Sequence, residues 1–219
     1  MASTPDASVE AHLETLQATC SLTYKDLDTQ QIIASVQDDG AGATAVFIGL
    51  SIFTSMSQLT NHQAQRATHS KVTSTRENKM TLTNISSGKT VTRLEYQAYS
   101  KIAMKTMSTI AANAIASASR SQHQPATSSV PPIIRCAIYH RLGTVPVGEP
   151  SIGIASRGSS DYFLDVVSIA VIAVSSPHRK EAFVACEEIL EEVKKKAQIW
   201  KREYYEGEDD NKAEWKANA

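Results

Sequence analysis

The most apolar stretch of the chain, Val166 to Val174, runs straight into Ser175-Ser176-Pro177, and this junction constrains the fold more than any other feature. A serine that can cap and a proline that presets φ make a helix start. The pattern behind it holds to about Lys196, with Ala182, Phe183, Cys186, Ile189, Leu190 and Val193 in one apolar stripe. A helix that is apolar on one face only must cover another layer.

Strands are available to form that layer. Leu22 to Leu27 reads as a short strand and Ala43 to Ile48 as a buried one. Val91 to Tyr99 alternates, with Leu94, Tyr96 and Ala98 on one face and Arg93, Glu95 and Gln97 on the other. Ile133 to His140 puts Ile134, Cys136 and Ile138 on one face. Two more helices are expected, one over Thr29 to Val36 behind Asp28 and one over Ser100 to Ser119. Turns rather than regular helical crossovers join several strands. The expectation is a single α+β domain, a mainly antiparallel sheet packed with helices. Residues 1–20 read as a mobile N-terminal segment, 21–203 as the domain and 204–219 as a polar C-terminal tail.

Composition narrows the function. The 219 residues are 42% hydrophobic, enough for a core without a metal or disulfide staple. Lys plus Arg is 22 and Asp plus Glu is 23, a formal charge of −1, which disfavours a nucleic-acid binder. Val166 to Val174 is far short of the roughly 20 residues of a membrane span, and the acidic N-terminus is unlike a signal or transit peptide. No membrane role and a cytoplasmic location follow as expectations. Cys20, Cys136 and Cys186 are isolated, so neither a disulfide framework nor a metal site is read from them. Ser87-Gly88-Lys89-Thr90 looks like the end of a P-loop, but the upstream glycine it needs is Thr83.

The remaining candidates are cationic. His178-Arg179 falls at the start of the last helix, where free N–H groups and the dipole favour an anion; cations there oppose the dipole, and an anionic ligand would explain them. Lys194, Lys195 and Lys196 lie at the opposite end, where cations suit the dipole. Lys201 follows Trp200 and would share a face with Lys194 if helical geometry persisted. Arg76, within Thr73-Ser74-Thr75-Arg76-Glu77-Asn78, reads by itself as a loop arginine, and His140-Arg141 as the end of a strand.

Taken together, the segments resemble the large, catalytic subunit of molybdopterin synthase, the MoaE family, in its eukaryotic form. The resemblance rests on Gly40-Ala41-Gly42-Ala43 to Phe47-Ile48-Gly49, Thr75-Arg76-Glu77-Asn78, Leu94-Glu95-Tyr96-Gln97-Ala98-Tyr99, Tyr139-His140-Arg141-Leu142-Gly143, Val147-Gly148-Glu149, Ser175-Ser176-Pro177-His178-Arg179 with Lys180-Glu181-Ala182-Phe183, and Ile199-Trp200-Lys201-Arg202-Glu203, in the family's order. It implies a MoaE-like α/β hammerhead fold and a sulfurtransferase. The implied substrate is cyclic pyranopterin monophosphate, converted to the dithiolene of molybdopterin. The implied sulfur donor is the C-terminal thiocarboxylate of a small ubiquitin-like partner, in a heterotetramer with a central dimer of large subunits, with no cofactor and no metal. Carried over, the resemblance makes Lys194 and Lys201 catalytic, and His178, Arg179, Arg202, Glu203 and Arg76 substrate-binding with them. An inactive relative that only holds the partner or an anion is the alternative.

Two stretches depart from the family pattern. Residues 50–72 interrupt the run from Phe-Ile-Gly into the Arg76 segment, and residues 155–172 interrupt the run from Ser151-Ile152-Gly153-Ile154 into Ala173-Val174-Ser175-Ser176-Pro177. Loop insertion is one reading. Translated intron sequence is favoured here, because both interruptions fall at core strand junctions rather than in loops.

Overall fold

A computed structural model describes residues 8–55, 85–86, 89–119, 130–146 and 163–217. Ten strands and three α-helices occur among the described residues: β1 (Ala11–Glu14), β2 (Ala18–Thr23), α1 (Thr29–Ser35), β3 (Ala43–Ser55), β4 (Ile85–Ser86), β5 (Lys89–Ala98), α2 (Ser100–Ser117), β6 (Arg135–Arg141), β7 (Gly143–Pro146), β8 (Phe163–Ser176), α3 (Arg179–Lys196), β9 (Ile199–Tyr205) and β10 (Trp215–Ala217).

They build two sheets. The first has the order β1-β2-β6-β8-β3, and the second β10-β9-β5-β4 with β7 also on β5. Only β2 and β6 pair parallel among the described strands, so the mainly antiparallel α+β expectation holds. Strand alternation divides the first sheet between two apolar layers. Cys136, Ile138, Ile172 and Val174 face the main core with Met107 of α2 and Ile189 of α3. Ala137, Val171 and Ala173 face the other way, onto Ile32 and Val36 around α1. Asp28 caps α1 by accepting from the Gln31 N–H at 3.0 Å.

The sheets meet at a corner. β6 belongs to the first sheet and β7 to the second, with only Leu142 between them. Gly143 makes the turn at φ +81°, and a Cβ there would come within 2.9 Å of the Tyr24 ring. Both constraints demand glycine. The corner carries His140 up to Tyr96 of β5, with ring centroids 5.1 Å apart in an edge contact.

Several expectations are corrected. The N-terminal segment is not mobile from residue 8: β1 and β2 form a hairpin on the first sheet, and Glu10 accepts from the Thr23 hydroxyl at 2.6 Å and the Tyr24 N–H at 3.0 Å. Residues 1–7 lie outside the described residues. The tail is not a free tail: β9 runs to Tyr205, and β10 pairs back onto it with Trp215 opposite Arg202 and Lys216 opposite Lys201. Arg93 holds Asp210 in the connecting segment at 2.6 Å.

The strand expected to stop at Ile48 continues to Ser55 and pairs with β8, Leu50 opposite Ser168 and Ser55 opposite Phe163. The inner ends of the two stretches read as insertions, 50–55 and 163–172, are therefore strand and pair with each other or with the sheet; Ile169, Val171 and Ile172 are buried. Neither stretch signals this alone, because the pairing between them joins residues more than a hundred positions apart. The remainder of both lies outside the described residues. The last helix also begins later than expected. Ser175 and Ser176 finish β8 opposite Thr44 and Ala43, which leaves His178 as the N-cap. Phe183, expected in the buried stripe, is 64% exposed.

Candidate functional site

The N-terminus of α3 is fixed by close backbone packing. Gly42 donates its N–H to the Ser176 carbonyl at 3.0 Å, and a Cβ at Gly42 would overlap the Pro177 carbonyl oxygen. The Ser176 hydroxyl donates to the Pro132 carbonyl at 2.7 Å and accepts from the His178 N–H at 3.2 Å. His178 and Arg179 thereby border an open cleft of about 740 Å³ that runs to Ser117 and Ser119 at the end of α2. Lys180 lies on the same rim and Glu181 in the first turn. Cationic side chains beside unsatisfied helix N–H groups suit a phosphate or carboxylate ligand.

The other end of α3 is organised differently. The helix stops at Lys196, Gln198 bonds back to the Lys196 carbonyl at 2.8 Å, and the chain reverses into β9. Lys201 is thus a strand residue, not a continuation of the helix. Its register partner on β5 is Tyr96, and register partners project from the same face of a sheet. Tyr96, His140, Phe47, Leu190, Val193 and Lys194 border a narrow, mainly apolar cavity of about 160 Å³. Lys194 sits on its wall, and Lys201 stands beside the Tyr96 that forms another part of it. Burial sets the chemistry of the floor. It drives His140 down to about 4, against the opposing hydrogen bond to the Arg141 carbonyl, so this imidazole is neutral at pH 7. Burial, aided by the Glu203 charge, pushes the Tyr96 hydroxyl up to about 12.

Strand alternation sends Arg202 and Glu203 to opposite faces. Arg202 donates to Glu95 at 2.8 Å and lies 4.9 Å from the Tyr204 ring centroid and 4.8 Å from that of Trp215. The Tyr204 hydroxyl completes the Glu95 site at 2.7 Å. Glu203 faces the Lys201 side, with Lys201 at 3.2 Å, Lys216 at 3.5 Å and the donating Tyr205 hydroxyl at 2.7 Å. Burial alone would raise this carboxyl, but Tyr205, Lys201 and Lys216 more than reverse that and hold it below the usual carboxylate range. No cluster of three or more His, Cys, Asp or Glu that could hold a metal ion occurs among the described residues.

The pattern of the family described as MoaE protein matches residues 52–160 and 166–196. A molybdopterin synthase catalytic subunit from Aspergillus niger is 31% identical over 204 residues, covering 93% of this chain and 77% of its own length. Molybdopterin synthase catalytic subunit 2 from Aedes aegypti is 36% identical over 197 residues, 90% of this chain and 87% of that one. The chain belongs to the MoaE family.

Its fold agrees with solved MoaE-type structures. Molybdopterin synthase from Staphylococcus aureus superposes with a TM-score of 0.55 at 22% identity, over 89% of this chain and 94% of that one. In this MoaE chain the cationic residues singled out from the sequence fall into two groups along α3, His178 and Arg179 at one end and Lys194 with Lys201 at the other. The structure unites Lys201 with Glu203 but separates Arg202, which faces away from both. Arg76 lies outside the described residues. Sequence reasoning missed Lys216, Tyr96 and Glu95 as neighbours of these groups. The alternation of β5 carried the signal for Tyr96 and Glu95; for Lys216 there was none, because nothing in the tail marks a strand.

Proposed function

We propose that this MoaE chain is the sulfur-transferring subunit of molybdopterin synthase in molybdenum cofactor biosynthesis. It takes sulfur from the C-terminal thiocarboxylate of a small ubiquitin-like carrier and places it on cyclic pyranopterin monophosphate, twice, to make the dithiolene. The observation that carries the reading is Lys194 on the wall of a narrow apolar cavity that is also lined by Tyr96, the register partner of Lys201. Such a slot suits an extended peptide tail, and a lysine on its wall, with a second on the strand beside Tyr96, suits the terminal thiocarboxylate. The cysteines support an external sulfur source. Burial raises the thiols of Cys20 and Cys136 to about 12 and that of Cys186 to about 11, so none is a ready nucleophile.

In this reading His178 and Arg179, with Arg76, hold the phosphate and polar edge of the pterin at the N-terminal end of α3. Lys194 and Lys201 bind the donor and assist attack and proton transfer. Each transfer forms a carbon–sulfur bond at a side-chain carbon of the pterin as a carbon–oxygen bond there breaks, and water then cleaves the acyl carbon–sulfur bond, leaving the sulfur on the pterin and releasing the carrier as its carboxylate. The chain works in the cytoplasm as the central dimer of a heterotetramer, one small subunit on each large one. No helix among the described residues is long and apolar enough to cross a membrane.

The test mixes the chain with substrate and with the small partner in thiocarboxylate or carboxylate form. Dithiolene product from the thiocarboxylate form alone is expected. A stable complex with no product in either case would instead make this chain a binding module.

A further inference from the structure

The C-terminal strand β10 delivers its side chains to both faces of β9. Trp215 goes to one face, 4.8 Å from the Arg202 guanidinium. Lys216 goes to the other, in register with Lys201. Between the two lysines lies Glu203, only 8% exposed. Its oxygens are divided: Lys201 is 3.2 Å from Oε1, while the Tyr205 hydroxyl at 2.7 Å and Lys216 at 3.5 Å take Oε2. A carboxylate facing a single lysine leaves that ammonium free to range over both oxygens. Here one oxygen is already occupied.

We propose that Lys216 is a positioning residue for Lys201: by occupying Oε2 of Glu203 it confines the Lys201 ammonium to Oε1, at a fixed place beside Tyr96 and the cavity. The strand is held for this purpose by contacts on the opposite face, where Arg202 lies between the Tyr204 and Trp215 rings, and by the Arg93–Asp210 pair in the connecting segment. The inference rests on the reading of Lys201 as a sulfur-transfer lysine, so the experiment has one arm that does not depend on turnover.

The first arm measures the rate at which an amine-selective acylating reagent labels Lys201 in the full chain, by peptide mass spectrometry. The second measures single-turnover conversion with the thiocarboxylated partner. In Lys216→Met, Oε2 keeps the Tyr205 hydroxyl but loses its cation, so its remaining lone pair is open to Lys201; labelling of Lys201 is expected to slow about threefold and turnover to fall about tenfold with KM within about twofold, the pattern of a misplaced group rather than lost binding. Lys216→Arg keeps a cation on Oε2 and is expected to restore both. The Lys216 side chain is 50% exposed, so both variants should melt within a few degrees of the parent. Wild-type labelling of Lys201 in Lys216→Met, or a loss that Lys216→Arg does not rescue, would overturn the proposal. Altered labelling with unchanged turnover would uphold the positioning and sink the role of Lys201 in sulfur transfer.

Discussion

Truncating each of the two lysines in turn separates catalysis from stability. In Lys201→Ala the ammonium 3.2 Å from Glu203 is lost, but that carboxylate keeps the Tyr205 hydroxyl at 2.7 Å and Lys216 at 3.5 Å. It is therefore not stranded, and the cost should be about 1–2 kcal/mol rather than the 3–5 kcal/mol of an orphaned buried charge. For a chain of this size that lowers Tm by about 2–8 °C. Lys194 is exposed at the end of α3, and Lys194→Ala should cost no more than about 0.5 kcal/mol. Activity should respond far more strongly. Losing a positioned proton donor or acceptor removes about 10²–10⁴ in rate, at least about 2.7 kcal/mol of barrier. The assay is single-turnover conversion with saturating thiocarboxylated partner, beside calorimetric melting of the same preparations. Near-parental conversion in either variant would refute the assigned roles, and so would a melting collapse beyond about 10 °C, which would make the lysines structural.

Three further outcomes are expected. Arg179 and Lys194 are fifteen residues apart on α3, about 22 Å at 1.5 Å per residue, too far for one small phosphate, so substrate and donor tail either lie end to end along one chain or meet across a dimer; mixing inactive Arg179→Ala and Lys194→Ala chains restores activity only if the site is shared, with heterodimers verified by native mass spectrometry. Removing 50–72 and 155–172 together takes away Ile169, Val171 and Ile172, which are buried, and the ladder that 170–172 make with both β3 and β6, so the shortened chain should lose at least about 5 kcal/mol and aggregate; a double deletion that stays monodisperse and melts at or above the parent's Tm would show both stretches to be dispensable. The folded His140 titrates near 4 against 6.5 in an unfolded chain, so the unfolded state binds more protons between those values and stability, complete above about pH 6.5, declines as pH falls toward 4, by an amount on the order of 3 kcal/mol; urea midpoints from pH 7 to 4.5 should show this slope and His140→Phe should flatten it, while an equal slope in both would contradict it.

How much of this was legible depended on where each residue finds its partner. The stripe of α3 was readable because Ala182, Cys186 and Ile189 lie one or two turns apart on one helix. Its start was not, because Ser175 and Ser176 are committed to a ladder with Thr44 and Ala43, far away in sequence. β1 lacks a strong local signal, since its Ala11 and Leu13 gain cover only by packing on the main core. The tail looked unstructured because it is polar, yet Arg93, Arg202 and Glu203 each reach into it. Lys194 and Lys201 were legible as candidates, but their setting was not: a shared face required helical geometry to persist, and Lys201 lies on β9. The reversal after Lys196 is fixed by Gln198, which meets the Thr106 hydroxyl from α2 at 3.1 Å. The cavity itself is built from β3, β5, β6, β8 and α3, so no local window of sequence contains it.

Tracing the sulfur tests the central claim most directly. The small partner is prepared with a ³⁴S-labelled C-terminal thiocarboxylate and mixed with this chain and unlabelled cyclic pyranopterin monophosphate, and the product is weighed by mass spectrometry. The account predicts that both dithiolene sulfurs carry the label and that the partner returns with an ordinary carboxylate. Unlabelled sulfur in the product, or a partner that stays thiocarboxylated while bound to the chain, would contradict it.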